Sequence, residues 1–314
     1  MKILVPGNVP FDLTIDVPGA DVARYVMRDP VPDEHLDAEA MVTWANPPDQ
    51  LADAARRLTG LRWVQALNAG PDLALAAGFG PQVTITSGRG LHDATVAEHA
   101  LALLLASVRR IDRTLAAQRE HRWDTELGRE QAQDEGSYSV SGAHVVLWGF
   151  GSIALRLAPL LTALGARVTG IASTTGERHG YPVVASSSLD DVLPTTDILV
   201  SLLPATADTR HALDARVLAK LPAHARFVNV GRGATVDEAA LVDALRAGRL
   251  AGAALDVTET EPLPADSPLW DAPRLILTPH VAGGRPQGAA RLVREQLAAY
   301  LDGGPEALRN VVAR

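Results

Sequence analysis

Cysteine is absent from all 314 residues. That excludes disulfides, thiolate catalysis and any Cys-built metal centre, and no metal site is expected. Lysine is nearly absent too: Lys2 and Lys220 stand alone, so arginine supplies almost all positive charge. The formal net charge is nevertheless -8. That sign suits neither nucleic acid nor an anionic membrane, and neither is expected as a partner. Aromatics make up only 4%, so the cores must be built from Ala, Leu and Val. No apolar run is long. The best helical one, residues 100–108, falls far short of the ~20 residues that span a bilayer. The opening run, Met1-Lys2-Ile3-Leu4-Val5-Pro6-Gly7, reads as a strand and is too short for a signal peptide. A soluble cytoplasmic protein is expected.

What is present is ordinary globular material, with 47% apolar residues. The length predicts about two domains. Residues 2–5, 40–45, 61–67 and 83–86 read as short strands, with helices at 49–58 and 72–77 between them. A long helix is predicted over 95–118, opened by the capping-box spacing of Thr95 and Glu98. A polar stretch, 120–141, reads as an exposed connection with a short helix. Six strands follow, at 144–148, 167–171, 197–203, 226–230, 252–257 and 274–277. Helices are predicted at 152–164, 189–193, 214–220 and 237–247, and a last one at 285–301. The alternation predicts an α/β protein with parallel sheets.

Gly149-x-Gly151-x-x-Ala154 follows one strand and opens a helix. The first glycine permits a tight turn, and the second lets backbone approach a pyrophosphate at the helix N-terminus. Ser152 and Ile153 begin that helix. By itself the motif equally describes a turn that merely needs glycines. NAD enzymes place an acid at the end of the next strand to bind the adenine ribose. Here that position is Ala172, followed by Ser173, Thr174 and Thr175. Without a carboxylate a 2′-phosphate is not repelled, and three hydroxyls can donate to it. Arg178 is the nearest downstream cation. NADP(H) is therefore favoured over NAD(H).

Three residues carry the chemistry. Arg232 sits in Asn229-Val230-Gly231-Arg232-Gly233, Glu261 sits before Pro262, and His280 sits after Pro279. A guanidinium can grip a carboxylate and polarise a carbonyl. An imidazole can exchange a proton with that oxygen, and a carboxylate beside it favours the protonated ring. Each residue follows a different predicted strand, at the edge where ligands bind open α/β sheets. Glu98 and His99 read as a cap and a packed imidazole. His92 and Arg89 precede the long helix and can face a ligand.

Together with Asn68-Ala69-Gly70-Pro71-Asp72, Val96-Ala97-Glu98-His99, Leu203-Pro204 and Thr209-Arg210, these segments resemble the D-isomer-specific 2-hydroxyacid dehydrogenases over nearly the whole chain. The resemblance implies two Rossmann-like or flavodoxin-like domains. A nucleotide domain (95–284) is inserted into a discontinuous substrate domain (1–94 and 285–314), and the two close over the ligands. It implies a homodimer. It implies Arg232, Glu261 and His280 as the catalytic set, with Ala69 and Gly70 joining Arg232 on the substrate carboxylate. Leu203, Pro204, Thr209, Val230, Gly231 and Gly283 would border the cofactor, and Asp256 would meet its carboxamide. The implied activity is hydride transfer between NAD(P)H and a small 2-oxo acid such as glyoxylate or hydroxypyruvate. Two alternatives stay open: a 3-phosphoglycerate dehydrogenase, and a dinucleotide-sensing binding protein. Formate dehydrogenases typically carry Gln where Glu261 stands, which disfavours them; phosphite oxidation remains compatible with the triad. Val9, Trp44 and Arg89, near the substrate's C3 substituent, do not identify it.

Overall fold

Alternate residues of the strand His144–Trp148 enter two different cores. Val145 and Leu147 pack into one apolar cluster with Leu104 and Leu157. Val146 and Trp148 pack into another with Phe227 and Leu245. A strand buried on both faces needs apolar residues throughout, which explains its continuous hydrophobic run. The computed structural model describes residues 1–133 and 138–312. It divides into two units, Met1–His92 with Gly284–Arg314, and Asp93–Gly283.

In chain order the first unit begins with β1 (Lys2–Pro6), β2 (Asp21–Tyr25), β3 (Ala40–Thr43), α1 (Pro48–Arg57), β4 (Trp63–Ala66), α2 (Asp72–Ala76) and β5 (Thr84–Thr86). The second unit runs from α3 (Asp93–Val108) through α4 (Ile111–Arg119), α5 (Thr125–Gln133), β6 (His144–Trp148), α6 (Ser152–Ala163) and β7 (Arg167–Ala172). It continues with β8 (Gly176–Arg178), β9 (Tyr181–Ala185), α7 (Leu189–Val192), β10 (Ile198–Ser201) and α8 (Ala215–Leu218). It ends with β11 (Arg226–Asn229), α9 (Glu238–Arg246), β12 (Gly252–Leu255) and β13 (Leu275–Leu277). The helix α10 (Ala289–Gly303) belongs to the first unit.

The first sheet has the order β2-β1-β3-β4-β5 and is parallel throughout. This is the flavodoxin-like doubly wound order. The second sheet runs β13-β12-β11-β10-β6-β7-β9-β8, parallel except for the β8–β9 pair. With β6 as its first strand and β8 set aside, it has the Rossmann order extended by one strand. The chain is thus an α/β protein of two parallel-sheet domains, with the Rossmann domain inserted into the other.

Several elements differ from the sequence expectation. The single helix predicted over 95–118 is two helices, because Arg110 adopts a left-handed conformation at φ 54 between α3 and α4. Its guanidinium forms a two-pronged pair with Asp112, at 3.2 Å for each contact. The apolar pattern continued through Ile111 and hid the break. The helix α3 also starts at Asp93, so Thr95 is internal, and its hydroxyl donates to the Gly283 carbonyl at 2.8 Å. The last helix starts at Ala289 after a left-handed Gly288. The strands β2, β8 and β9 were not predicted. Within the polar stretch 120–141 the structure has α5, while 134–137 lie outside the described residues, as do 313–314. No helix among the described residues is long and apolar enough to cross a membrane.

Candidate active site

The site lies along the carboxyl ends of the second unit's strands. Asn229, the fully buried last residue of β11, folds the turn that carries Arg232. Its Oδ1 accepts from Gly231 N–H at 3.0 Å, and its Nδ2 donates to the Arg232 carbonyl at 3.1 Å. The Thr235 hydroxyl donates to the same carbonyl at 2.6 Å. The glycine after Arg232 is required by contact. A Cβ on Gly233 would stand 1.9 Å from the carbonyl atoms of Thr258. The turn bearing the cation is therefore pressed, backbone on backbone, against the loop bearing Glu261. Close approach of two backbones is what requires glycine at position 233.

The loop after β12 presents Glu261, whose Oε1 accepts from Thr258 N–H at 3.0 Å. Its Oε2 meets His280 Nδ1 at 2.6 Å. His280 follows β13 in a left-handed conformation, φ 53. Its hydrogen bond to Glu261 raises the imidazole pKa against the opposing effect of burial. Burial would raise Glu261, but the His280 contact, the Thr258 N–H and the charges of His280 and Arg232 bring it below the usual carboxylate range. The charge of Arg232 acts on both partners, so all three residues share one field. With Nδ1 committed to Glu261, Nε2 is the nitrogen that can act on a ligand. The structure thus brings Arg232, Glu261 and His280 together. A cavity of about 590 Å³ adjoins the pair, lined by Thr258, Pro262, Leu263, Trp270 and Leu277 among others.

Asp256 is 1% exposed. Its Oδ1 accepts from Val281 N–H at 3.0 Å and from the Thr278 hydroxyl at 2.6 Å, and its Oδ2 accepts from Ala282 N–H at 2.9 Å. His99, on α3, reaches the same Oδ1 at 3.2 Å and the Thr278 hydroxyl at 3.0 Å. The expected packed imidazole therefore braces the turn of His280 from behind. The carboxylate expected at a nicotinamide carboxamide is here engaged with the protein's own backbone.

The glycine motif leaves the start of α6 open. Gly149 lies at φ 102, with the Leu202 carbonyl 2.9 Å from where a Cβ would stand. Open space surrounds the corresponding point on Gly151. Gly151 caps α6 without any side-chain hydrogen bond, so Ser152 and Ile153 begin a helix whose end is left to backbone N–H groups. Beyond β7, Ser173 and Thr174 are exposed. Arg178 turns back over them: its Nη2 donates to Thr174 Oγ1 at 3.2 Å and its Nη1 to the Phe150 carbonyl at 3.1 Å. The hairpin β8–β9 causes this return through His179 and Gly180, both at positive φ.

Leu203 and Pro204 follow β10, and the Pro204 carbonyl accepts from the Thr209 hydroxyl at 2.6 Å. Thr209 also accepts from Thr206 N–H at 2.8 Å, so its hydroxyl stabilises its own loop. Val230 and Gly231 precede Arg232, and Gly283 closes the unit. Ala69 and Gly70 belong to the first unit, half-buried in the bend after β4. Sequence reasoning missed the surroundings of Glu259. Its Oε1 accepts from Arg210 Nη2 at 2.5 Å, a partner 49 residues away that no local pattern could reveal.

A sequence model described as "D-isomer specific 2-hydroxyacid dehydrogenase, NAD binding domain" matches residues 101–282. A D-3-phosphoglycerate dehydrogenase from Mycobacterium bovis is 34% identical over 224 residues, which cover 70% of this chain but only 40% of that relative. A solved D-isomer specific 2-hydroxyacid dehydrogenase from Xanthobacter autotrophicus, in complex with NADPH, is similar with a TM-score of 0.80 and 30% identity over 99% of this chain and 97% of its own. An NADPH-dependent glyoxylate/hydroxypyruvate reductase from Sinorhizobium meliloti, in complex with NADP and sulfate, gives 0.79 and 28% over the same shares.

Proposed function

The chain belongs to the D-isomer specific 2-hydroxyacid dehydrogenase family, and from that premise we propose that it reduces small 2-oxo acids of the glyoxylate and hydroxypyruvate type with NAD(P)H, NADPH being favoured. The observation that carries the reading is the 2.6 Å contact of His280 Nδ1 with Glu261 Oε2, in the field of Arg232. A proton donor, the carboxylate that keeps it charged and a carboxylate-binding cation are what ketone reduction requires of a protein.

The residues around Gly149 and Gly151 fit a pyrophosphate, and Ser173, Thr174 and Arg178 fit a 2′-phosphate. The bound cofactor supplies the hydride. Arg232 pairs with the substrate carboxylate and polarises the 2-oxo oxygen. His280, protonated and held by Glu261, gives its Nε2 proton to that oxygen as negative charge develops there. In the oxidative direction, neutral His280 takes the proton from the hydroxyl. Asp256 and His99 keep the imidazole at its working angle. The protein acts as a homodimer in this reading, testable by light scattering.

A second reading, 3-phosphoglycerate dehydrogenase, is favoured by the named mycobacterial relative. The sequence match covers 40% of that relative. A spectrophotometric screen of glyoxylate, hydroxypyruvate and phosphohydroxypyruvate with NADH and NADPH separates the two. Turnover of the unphosphorylated acids, lost by orders of magnitude in Arg232→Ala with NADPH binding retained, is expected. Selective use of phosphohydroxypyruvate would replace the first reading with the second, and no turnover of any would reject both.

A further inference from the structure

Three carboxylates, Glu238, Glu259 and Glu261, crowd around one short loop, and only the last takes part in the chemistry proposed above. Glu259 is held on two sides. Its carboxylate accepts from Arg210 at 2.5 Å and lies 3.1 Å from His211 Nε2. Its backbone N–H donates to Glu238 Oε1 at 2.6 Å. Glu238 starts α9, and the segment before that helix is tied to the Arg210 segment. His211 N–H donates to Ala234, Leu213 N–H to Thr235 and Asp237 N–H to Leu213, each at 2.9 Å. These bonds lead straight back to the turn of Arg232. The loop bearing Glu261 is therefore joined to the turn bearing Arg232 through Glu259, in addition to the contact at Gly233.

We propose that Glu259 is a positioning residue: clamped by Arg210 and His211 and anchored on Glu238, it sets the place of Glu261 relative to His280 and Arg232. The inference rests on the reading of Glu261 and His280 given above. Two side-chain partners on one carboxylate, a guanidinium and an imidazole, are more than loop closure needs. A charge-assisted bond is directional and short, and it fixes a loop more tightly than neutral contacts do. Glu261 lies two residues on in the same loop, so a shift at Glu259 moves the backbone that carries the Glu261–His280 contact. Burial raises the pKa of Glu238, and His211 and Arg210 outweigh partial burial to lower that of Glu259, in keeping with a shared and ordered cluster.

The test uses the intact protein and two readouts. In Glu259→Gln, kcat for 2-oxo acid reduction should fall roughly 10-fold, the order of one lost charge-assisted bond, with KM for NADPH unchanged. The His280 ring, assigned by its disappearance in His280→Gln and followed by NMR without substrate, should titrate at lower pH as Glu261 withdraws. Its other charged neighbours, Arg232 and Asp256, are untouched. Glu238→Ala should reproduce part of both effects, and Glu238→Gln, which keeps an acceptor for the Glu259 N–H, less of them. If Glu259→Gln does not fold, Arg210→Gln opens the same clamp and should give the same pair of changes. Wild-type kcat and an unmoved His280 titration in whichever variant folds would overturn the proposal. An inactive wild type would reject the proposed function alone, since the NMR titration needs no turnover.

Discussion

Asp256 holds His280 through its own backbone and its side chain at once. The Asp256 carbonyl accepts the His280 N–H at 2.7 Å, and its carboxylate accepts the next two N–H groups, Val281 and Ala282. A buried carboxylate satisfied by three donors pins a left-handed residue that would otherwise relax.

Asp256→Asn should show what that arrangement contributes. An amide offers one acceptor oxygen where the carboxylate offers two, so a buried N–H loses its partner. We expect a stability loss of roughly 1–3 kcal/mol and a larger proportional fall in kcat than in cofactor affinity. Chemical denaturation and steady-state kinetics measure the two; wild-type values in both would exclude the role.

The pH dependence follows from the paired shifts of His280 and Glu261. In the proposed mechanism reduction needs protonated His280, so it should persist above the ordinary imidazole value of about 6.5 and fall as pH rises through the raised pKa. Glu261→Gln removes the largest raising influence, so the basic limb should move to lower pH. The same shifts govern stability. The His280 contribution is complete below the unfolded imidazole value and disappears as pH rises through the folded one. The Glu261 contribution is present above the unfolded carboxyl value and disappears as pH falls through the lowered one. An unchanged kcat/KM profile in Glu261→Gln would uncouple the carboxylate from proton transfer.

Cofactor choice should reside in the loop after β7. Arg178→Ala should raise KM for NADPH several-fold and leave NADH nearly unaffected, because only the former carries a 2′-phosphate for the guanidinium. Ala172→Asp should shift preference toward NADH by restoring the ribose-binding, phosphate-repelling acid. Added salt should weaken NADPH binding more than NADH binding. Equal responses of both cofactors to Arg178→Ala would remove Arg178 from the site.

Gly233→Ala is the most severe single change expected. The added methyl would meet the Thr258 carbonyl at 1.9 Å, so the loops of Arg232 and Glu261 must part. The cost should be at least the roughly 1–3 kcal/mol of an overpacked site. Activity should collapse even where the protein stays folded, as judged by circular dichroism; a folded, fully active variant would contradict the contact.

The sequence was most legible where burial dictated it. The strand at His144–Trp148 is apolar because both faces are covered, and its length and place could be read directly. Arg232, Glu261 and His280 could be singled out because each follows a strand in a distinctive local context. Legibility failed where long-range contacts decide. The β8–β9 hairpin is polar and half-exposed, and its turn is His179-Gly180, not one of the common Asn-Gly or Asp-Gly pairs. The break at Arg110 leaves the apolar periodicity intact. The bond of Arg210 to Glu259 spans 49 residues and has no local signature.

That hairpin has an evolutionary consequence. β8 is the outermost strand of its sheet and pairs with β9 alone, so changes to its length or turn need not propagate into the buried parallel strands. Arg178 rides on this margin, while the glycines proposed to accommodate the pyrophosphate follow β6, inside the sheet. On the proposed reading, discrimination between two cofactors that differ by one phosphate is thereby separated from the capacity to bind either. A lineage could exchange one electron currency of the cell for the other by rewriting an edge, with the catalytic residues and their scaffold left as they are.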